Sequence, residues 1–196
     1  AELQHRPALL RDAQMLVVAG GVSYADALGA GRMWSLTLQH GVGDELTSFV
    51  AAGKPVIGIC NGFQILTEAH LLPGVLMRNA DLKFVCRPVN LVVGESQSMF
   101  TRKYKNGETV RFPVAHGEGN YFADDATLDR LEGEGRVVFR YAEGSNPNGS
   151  ARNIAGIMSE KRNVLGLMPH PERVVDPILG GTDGKAMFKS LIEALS

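Results

Sequence analysis

Two short stretches carry residue types whose spacing supports nucleophilic chemistry. Gly58-Ile59-Cys60-Asn61-Gly62 has the Gly-x-nucleophile-x-Gly form, which sets a reactive side chain on a sharp strand-to-helix turn. It follows the apolar, β-type run 55–59 and opens a helix-like run from Asn61 to Leu71. Pro169-His170-Pro171-Glu172 supplies an imidazole and a carboxylate late in the chain. Nucleophile, base and orienting acid are then available, to be brought together by folding rather than by sequence proximity. A cysteine in an apolar run is by itself also compatible with an inert core thiol. The flanking glycines and the separate His-x-Glu select the nucleophile reading for Cys60.

The chemistry these residues support is acyl transfer. A free thiol with a pKa of about 8.5 is mostly protonated at neutral pH. The helix opening at Asn61 is expected to direct its positive end at the Cys60 sulfur and favour the thiolate. His170 would take the thiol proton and later deliver it to a leaving group, and Glu172 would fix the imidazole tautomer. A developing oxyanion needs donors. The Asn61 backbone N–H is one, and Gly20-Gly21, closing the first apolar run, is the candidate for the second, since glycine lets the backbone approach a substrate closely.

Positioning these residues requires an α/β domain, and strand-like and helix-like runs do alternate along the chain. The pattern predicts strands at 14–19, at the elbow, at 136–141, and in a hairpin of 153–158 and 163–168 that feeds the His170 loop. Helices are predicted at 44–52, 61–71, 124–131, and at the C-terminus, where Met187, Phe188, Leu191, Ile192 and Leu195 share a face. Runs 84–93 and 109–114 read as an antiparallel extension beside the main sheet. Ser145-Asn146-Pro147-Asn148-Gly149-Ser150 is a turn. The expected architecture is a three-layer, mostly parallel sheet flanked by helices with a small antiparallel extension. Residues 1–196 read as one domain. Its first clear strand begins only near Gln14 and the chain does not start with Met, so the first βα unit is expected to be missing.

Composition narrows the function classes. Hydrophobic content of 44%, charged content of 21% and a net charge of −1 are ordinary for a globular enzyme and argue against nucleic acid or an anionic membrane as partner. No apolar run approaches the roughly 20 residues that span a bilayer, and the first residues lack a signal-peptide core. With Cys60 in the elbow pattern, pairing with Cys86 is the poorer reading and a reducing cytoplasm the better one. Cys86, in an extended run, is expected in the core. His5, His40 and His70 read as surface or capping residues. His116, in Ala115-His116-Gly117-Glu118-Gly119, reads equally as part of a ligand-side loop or as a structural turn. Zinc-type spacing, a Walker A loop and a Gly-x-Gly-x-x-Gly fingerprint are all missing, so neither metal nor nucleotide is expected on this chain.

Taken together, the motifs resemble the triad-type (class I) glutamine amidotransferases, with Gly58 through Gln64 as the elbow and His170 through Glu172 as the late block. Gly20 through Asp26, Cys60 through Gln64, Ala115 through Gly119, Asn146 through Ser150 and Leu167 through Arg173 resemble, more narrowly, the glutaminase-subunit family of phosphoribosylformylglycinamidine synthase, over nearly the whole chain. The resemblance implies a flavodoxin-like fold and a Cys60–His170–Glu172 triad. It also implies an oxyanion hole at Gly21 and Asn61 and glutamine binding by Gly20, Gly21 and Gln64. The implied partners are glutamine as substrate, an ATP- and Mg-using synthetase subunit (PurL-like) and a small third subunit (PurS-like). Activity is implied to be poor without the synthetase, which the loops 22–28 and 116–121 would meet. Val22 and Ala25 stand where the family has Phe and Gly, and 79–84 lacks its Ser-Gly-Arg character. Competing readings are an amidotransferase serving another synthetase, a Cys-dependent hydrolase or redox chaperone on a similar scaffold, and a non-enzymatic regulatory module.

Overall fold

The chain opens with two short helices, α1 (Glu2–His5) and α2 (Leu9–Asp12), before β1 (Leu16–Val18) and the long α3 (Arg32–Ala51). The elbow region follows as β2 (Val56–Ile59) and α4 (Asn61–Glu68), then β3 (Val75–Met77), β4 (Val85–Val93), β5 (Thr109–His116) and β6 (Asn120–Phe122). The C-terminal half is α5 (Asp125–Gly133), β7 (Val137–Tyr141), β8 (Ile154–Met158), β9 (Val164–Leu167) and α6 (Lys185–Leu195). These elements come from a computed structural model that describes residues 2–196, with backbone alone at residue 4.

The main sheet has strand order β1-β2-β9-β8-β7-β4-β5, and β3 and β6 form a separate antiparallel ribbon. Only β1–β2 and β2–β9 pair in parallel. Pairings β9–β8, β8–β7, β7–β4 and β4–β5 are antiparallel. Strands β1, β2, β9, β7 and β5 therefore all point one way, and the interleaved β8 and β4 point the other. The α/β architecture is as expected, with two refinements. The sheet is parallel in strand direction more than in pairing, and the antiparallel segment of β4 and β5 continues the main sheet instead of lying beside it. Helix α4 packs on β1, β2 and β9, the strands that surround the elbow.

Helix α3 starts well before the expected Asp44. Leu38, Val42, Leu46 and Phe49 are all buried along one stripe, and that burial carries the helix through Gly41 and Gly43 despite their poor propensity. The helical run is interrupted at Val42, whose φ is −145°. Helix α4 ends earlier than Leu71 because His70, at φ 58°, occupies the left-handed position. The His70 N–H donates to the Thr67 carbonyl and the Leu71 N–H to the Leu66 carbonyl, closing the end as a Schellman motif.

Two burial expectations are corrected. Cys86 is exposed, because Val89, Leu91 and Val93 are the core-facing positions of β4 and Cys86 falls on the opposite parity. On α6, Met187 and Leu191 are fully buried while Ile192 is exposed. The hydrophobic stripe is thus narrower than the sequence pattern suggests.

Gly62 shows how tightly the elbow is packed: a Cβ there would overlap the Val18 carbonyl oxygen. Gly62→Ala must push β1 away from α4. It is expected to lower stability by about 1–3 kcal/mol, a drop of roughly 2–12 °C in thermal unfolding. An unchanged melting temperature would show that the two elements are not in this contact.

Candidate active site

Because β1, β2 and β9 are adjacent and parallel, their C-terminal ends open on the same edge of the sheet. Gly20-Gly21 follows β1, Cys60 follows β2 and His170 follows β9. Residues far apart in sequence are thereby delivered to one crevice at strand carboxyl ends, the usual location of sites in open α/β sheets. Strand β5 points the same way and ends at His116, so the loop 116–119 joins the same edge.

Cys60 sits at φ 52°, ψ −108°, a conformation that costs a non-glycine residue on the order of 1–3 kcal/mol. Its N–H donates to the Leu167 carbonyl at 2.8 Å, extending the β2–β9 pairing into the turn. Its own carbonyl receives the first N–H groups of α4, from Phe63 and Gln64. The predicted sharp turn is present, and it is held from both sides.

His170 is buried, and its backbone N–H donates to the Pro113 carbonyl at 2.8 Å. Its Nδ1 lies 2.6 Å from Oε1 of Glu172. With Nδ1–H given to that carboxylate, the lone pair stands on Nε2, which is buried without a partner. Gly20 marks the junction: a Cβ there would come 2.9 Å from His170 Cε1 and 3.4 Å from Cys60 Cβ. The structure brings Gly20, Cys60, His170 and Glu172 together.

The thiol differs from its expected electrostatics. Burial pushes the Cys60 pKa up to about 11, against the opposing pull of the Asn61 N–H and the Arg173 charge. The helix-end donor expected from sequence is there, but desolvation outweighs it. The Cys60 Sγ–H donates to the Ala115 carbonyl at 3.6 Å. In this state the thiol is neutral and turned to β5.

The remaining predicted residues fall as follows. Gly21 is in open space, with nothing within 4 Å of a Cβ built on it. Asn61 donates from Nδ2 to Gln64 Oε1 at 2.8 Å and accepts the Ser23 N–H at 3.4 Å. Gln64 in turn donates to the Glu118 carbonyl at 2.6 Å. The Gln64 Nε2 bond ties the elbow helix to the loop 116–119, while its Oε1 is held by Asn61 within the helix. Between Gly21 and α3 the backbone is strained: Tyr24, Ala25, Asp26 and Leu28 all have φ between 52° and 65°. Ala25, standing where the resemblance has glycine, adopts a conformation that glycine takes at lower cost.

His116 is resolved as a buried member of a polar network. Asn148 Nδ2 lies 2.9 Å from His116 Nε2 and 3.1 Å from the Tyr141 hydroxyl. Burial, reinforced by the nearby His170, pulls the His116 pKa down to about 4, so the ring is neutral at physiological pH. Asn148 lies in a segment read from sequence as a turn and as one block of the family resemblance, with no role assigned to its side chain. Its Oδ1 accepts from the Ser150 N–H and hydroxyl, which fixes the amide toward His116. Asn79 is a second residue that sequence reasoning misses, and its side chain holds the loop through the His116 carbonyl and the Gly119 N–H, each at 3.0 Å. For Asn79 no sequence signal marks the role, and for Asn148 the only signal is the resemblance of the block 146–150. His5, His40 and His70 are exposed, as expected. Among the described residues no group of three His, Cys, Asp or Glu side chains is arranged to hold a metal, and no helix is long and apolar enough to cross a membrane.

A family model described as the CobB/CobQ-like glutamine amidotransferase domain matches residues 1–184. The chain belongs to the glutamine amidotransferases. Among curated amidotransferase relatives, it is 51% identical over 185 residues to the phosphoribosylformylglycinamidine synthase subunit PurQ of Rhizobium etli, covering 94% of this chain and 82% of that protein. It is 54% identical over 180 residues to the subunit of the same name from Novosphingobium aromaticivorans, covering 92% and 78%. Among solved structures, PurLQS from Thermotoga maritima contains a chain that superposes with a TM-score of 0.83 at 40% identity, covering 94% of this chain and 81% of that one. The likeness to these proteins therefore extends over most of the chain, well beyond the short motifs.

Proposed function

We infer that this chain is the glutamine-hydrolysing subunit of a phosphoribosylformylglycinamidine synthase, acting in purine biosynthesis. The observation that carries the reading is the convergence of Cys60, on its strained elbow, with the Glu172-paired His170 at the ends of adjacent parallel strands. That convergence occurs in a chain half identical to PurQ subunits over most of its length.

The geometry translates into steps as follows. The Cys60 sulfur attacks the carboxamide carbon of glutamine while His170 Nε2 takes the thiol proton. The carbonyl oxygen becomes an oxyanion held by the backbone N–H groups of Asn61 and Gly21. The C–N bond then breaks, the imidazolium gives its proton to the departing nitrogen, and ammonia leaves behind a glutamyl thioester on Cys60. Water, deprotonated by His170, attacks that thioester. Its collapse yields glutamate and restores the thiol. Glu172 stabilises the imidazolium in both halves. Gln64 acts by positioning, linking the elbow helix to the Glu118 loop.

Ammonia released to neutral water would be protonated and lose its nucleophilic lone pair. It is passed instead to a PurL-like synthetase subunit, with a PurS-like third subunit completing the assembly. ATP and Mg bind on the synthetase, and the reading assigns the complex to the cytoplasm, consistent with two unpaired cysteines. The close likeness to a chain of the Thermotoga PurLQS structure supports the synthetase partner.

The resting site also supports control by a partner. The thiol is neutral and bonded to Ala115, and the loop 22–28 that neighbours Gly21 is strained. Binding energy from the synthetase can rearrange that loop and assemble the oxyanion donors. Glutamine hydrolysis by the chain alone is expected to be slow and to rise by roughly 10²-fold or more when a PurL-type synthetase is added. Equal rates with and without the synthetase would remove the partner-dependent mechanism.

A further inference from the structure

The β3–β6 ribbon alternates in burial. Leu76 and Tyr121 turn inward against the core, while Val75, Met77 and Phe122 turn outward, with Val75 directly opposite Phe122. Leu82 and Phe84, in the following loop, are exposed as well, and the five outward side chains are between 42 and 76% exposed. Large apolar groups at that density are more than the scattered exposure of an ordinary surface. The loop that carries Leu82 is not loose. Its φ of 59° is a left-handed conformation for leucine, held by the Leu82 N–H on the Asn79 carbonyl and by Asn79 Nδ2 on the Lys83 carbonyl at 2.7 Å. An exposed apolar loop that is already ordered loses little conformational entropy when it is covered.

We propose that this face is where the synthetase subunit docks, and that the surface covering it is apolar at its centre and acidic at its rim. The proposal rests on the functional reading above and adds the place and chemistry of the contact. The charge argument rests on Lys83 and Arg87, which are exposed around the patch; Arg78 is exposed too but lies 3.8 Å from the Glu118 carboxylate, and Asp81 is the one acid in residues 78–88. The Asp81 carboxylate already accepts the Lys83 N–H. An acidic rim on the partner complements that arrangement and steers the encounter.

The face is also wired to the thiol. Asn79 N–H donates to the Gly117 carbonyl at 2.9 Å, and the Asn79 side chain bonds His116 and Gly119. The Ala80 N–H donates to the Asn148 carbonyl at 3.0 Å. The loop so held follows Ala115, whose carbonyl accepts the Cys60 Sγ–H hydrogen bond, and carries Glu118, whose carbonyl is bonded by Gln64. Pressure on Leu82 and Phe84 therefore reaches the elbow through consecutive hydrogen bonds, giving the synthetase a physical handle on the triad.

The test uses the full chain with Leu82→Asp and Phe84→Asp together, and titrates it with the PurL-type synthetase by calorimetry. Binding is expected to weaken by about 30-fold or more, and activation to fall in parallel. Basal glutamine hydrolysis and the melting temperature of the free chain are expected to stay unchanged. Lys83→Glu with Arg87→Glu should weaken binding in a salt-dependent way, which keeps the test open if the first variant folds poorly. Ile192→Asp, on the exposed face of α6, is expected to bind like the wild type. Undiminished binding by both ribbon variants would overturn the proposal, as would loss of binding in the α6 variant alone. Self-association of the wild-type chain that the ribbon variants abolish would assign the face to a second copy instead. If the wild-type chain neither binds the synthetase nor is activated by it, the functional reading itself fails and the docking face fails with it.

Discussion

Replacing Cys60 by alanine is expected to reduce glutamine hydrolysis by roughly 10³-fold or more, while synthesis by the assembled complex from added ammonia stays nearly intact. The asymmetry follows from the position of the thiol. Cys60 forms the covalent intermediate, but nothing in its surroundings is needed by a reaction that starts from free ammonia. Alanine keeps the β-carbon and the strained turn, so the elbow should remain folded, and a melting curve close to wild type verifies that. Retention of full glutaminase activity would remove Cys60 from the chemistry. A second readout tests the state of the thiol. Because burial raises its pKa to about 11, alkylation by iodoacetamide should accelerate about tenfold per pH unit from pH 7 to 10, as the thiolate fraction grows. The sign is set by desolvation: a thiol activated by the helix end would instead alkylate at a rate nearly independent of pH above neutrality. The measurement is made in a Cys86→Ser background, since Cys86 is exposed and would otherwise react first.

What is legible in the sequence is what local chemistry dictates. The Gly-x-Cys-x-Gly pattern has one economical structural solution, so Cys60 can be placed on its turn without knowledge of the rest. The β8–β9 hairpin is likewise written in adjacent apolar runs separated by a polar turn. Directions and neighbours are not legible, because strand order depends on which edges pair across long separations. Hence β4 and β5 read as lying beside the sheet when they extend it. Cys86 reads as a core residue because an extended run does not state its parity, and one residue of shift exchanges core for solvent. The thiol pKa escapes the sequence for a related reason. A helix end can be read from neighbouring residues, whereas burial is the joint work of distant elements, here including β5 and the His170 loop. Asn79 and Asn148 are invisible as positioning residues because an asparagine in a turn is ordinary. Only the fold shows their amides holding the catalytic-side loop.

His170 and Glu172 should behave as one unit with Cys60. His170→Ala is expected to cost roughly 10²- to 10⁴-fold in glutamine hydrolysis, because its buried Nε2 is the only acceptor that the triad offers to the thiol proton. Glu172→Ala should cost less, since its carboxylate orients the ring at 2.6 Å and stabilises the imidazolium without carrying the proton itself. The informative measurement is the double variant. If the base acts only through the nucleophile, then once Cys60 is gone there is nothing left for His170 to deprotonate, and adding His170→Ala to Cys60→Ala should cost little more. The same holds for Glu172→Ala added to His170→Ala, because a carboxylate cannot orient a ring that is absent. Independent structural roles would give multiplicative losses accompanied by falling melting temperatures. Multiplicative losses with melting temperatures unchanged would mean that the three side chains contribute to hydrolysis separately, and the shared site built on the ends of β2 and β9 would have to be abandoned.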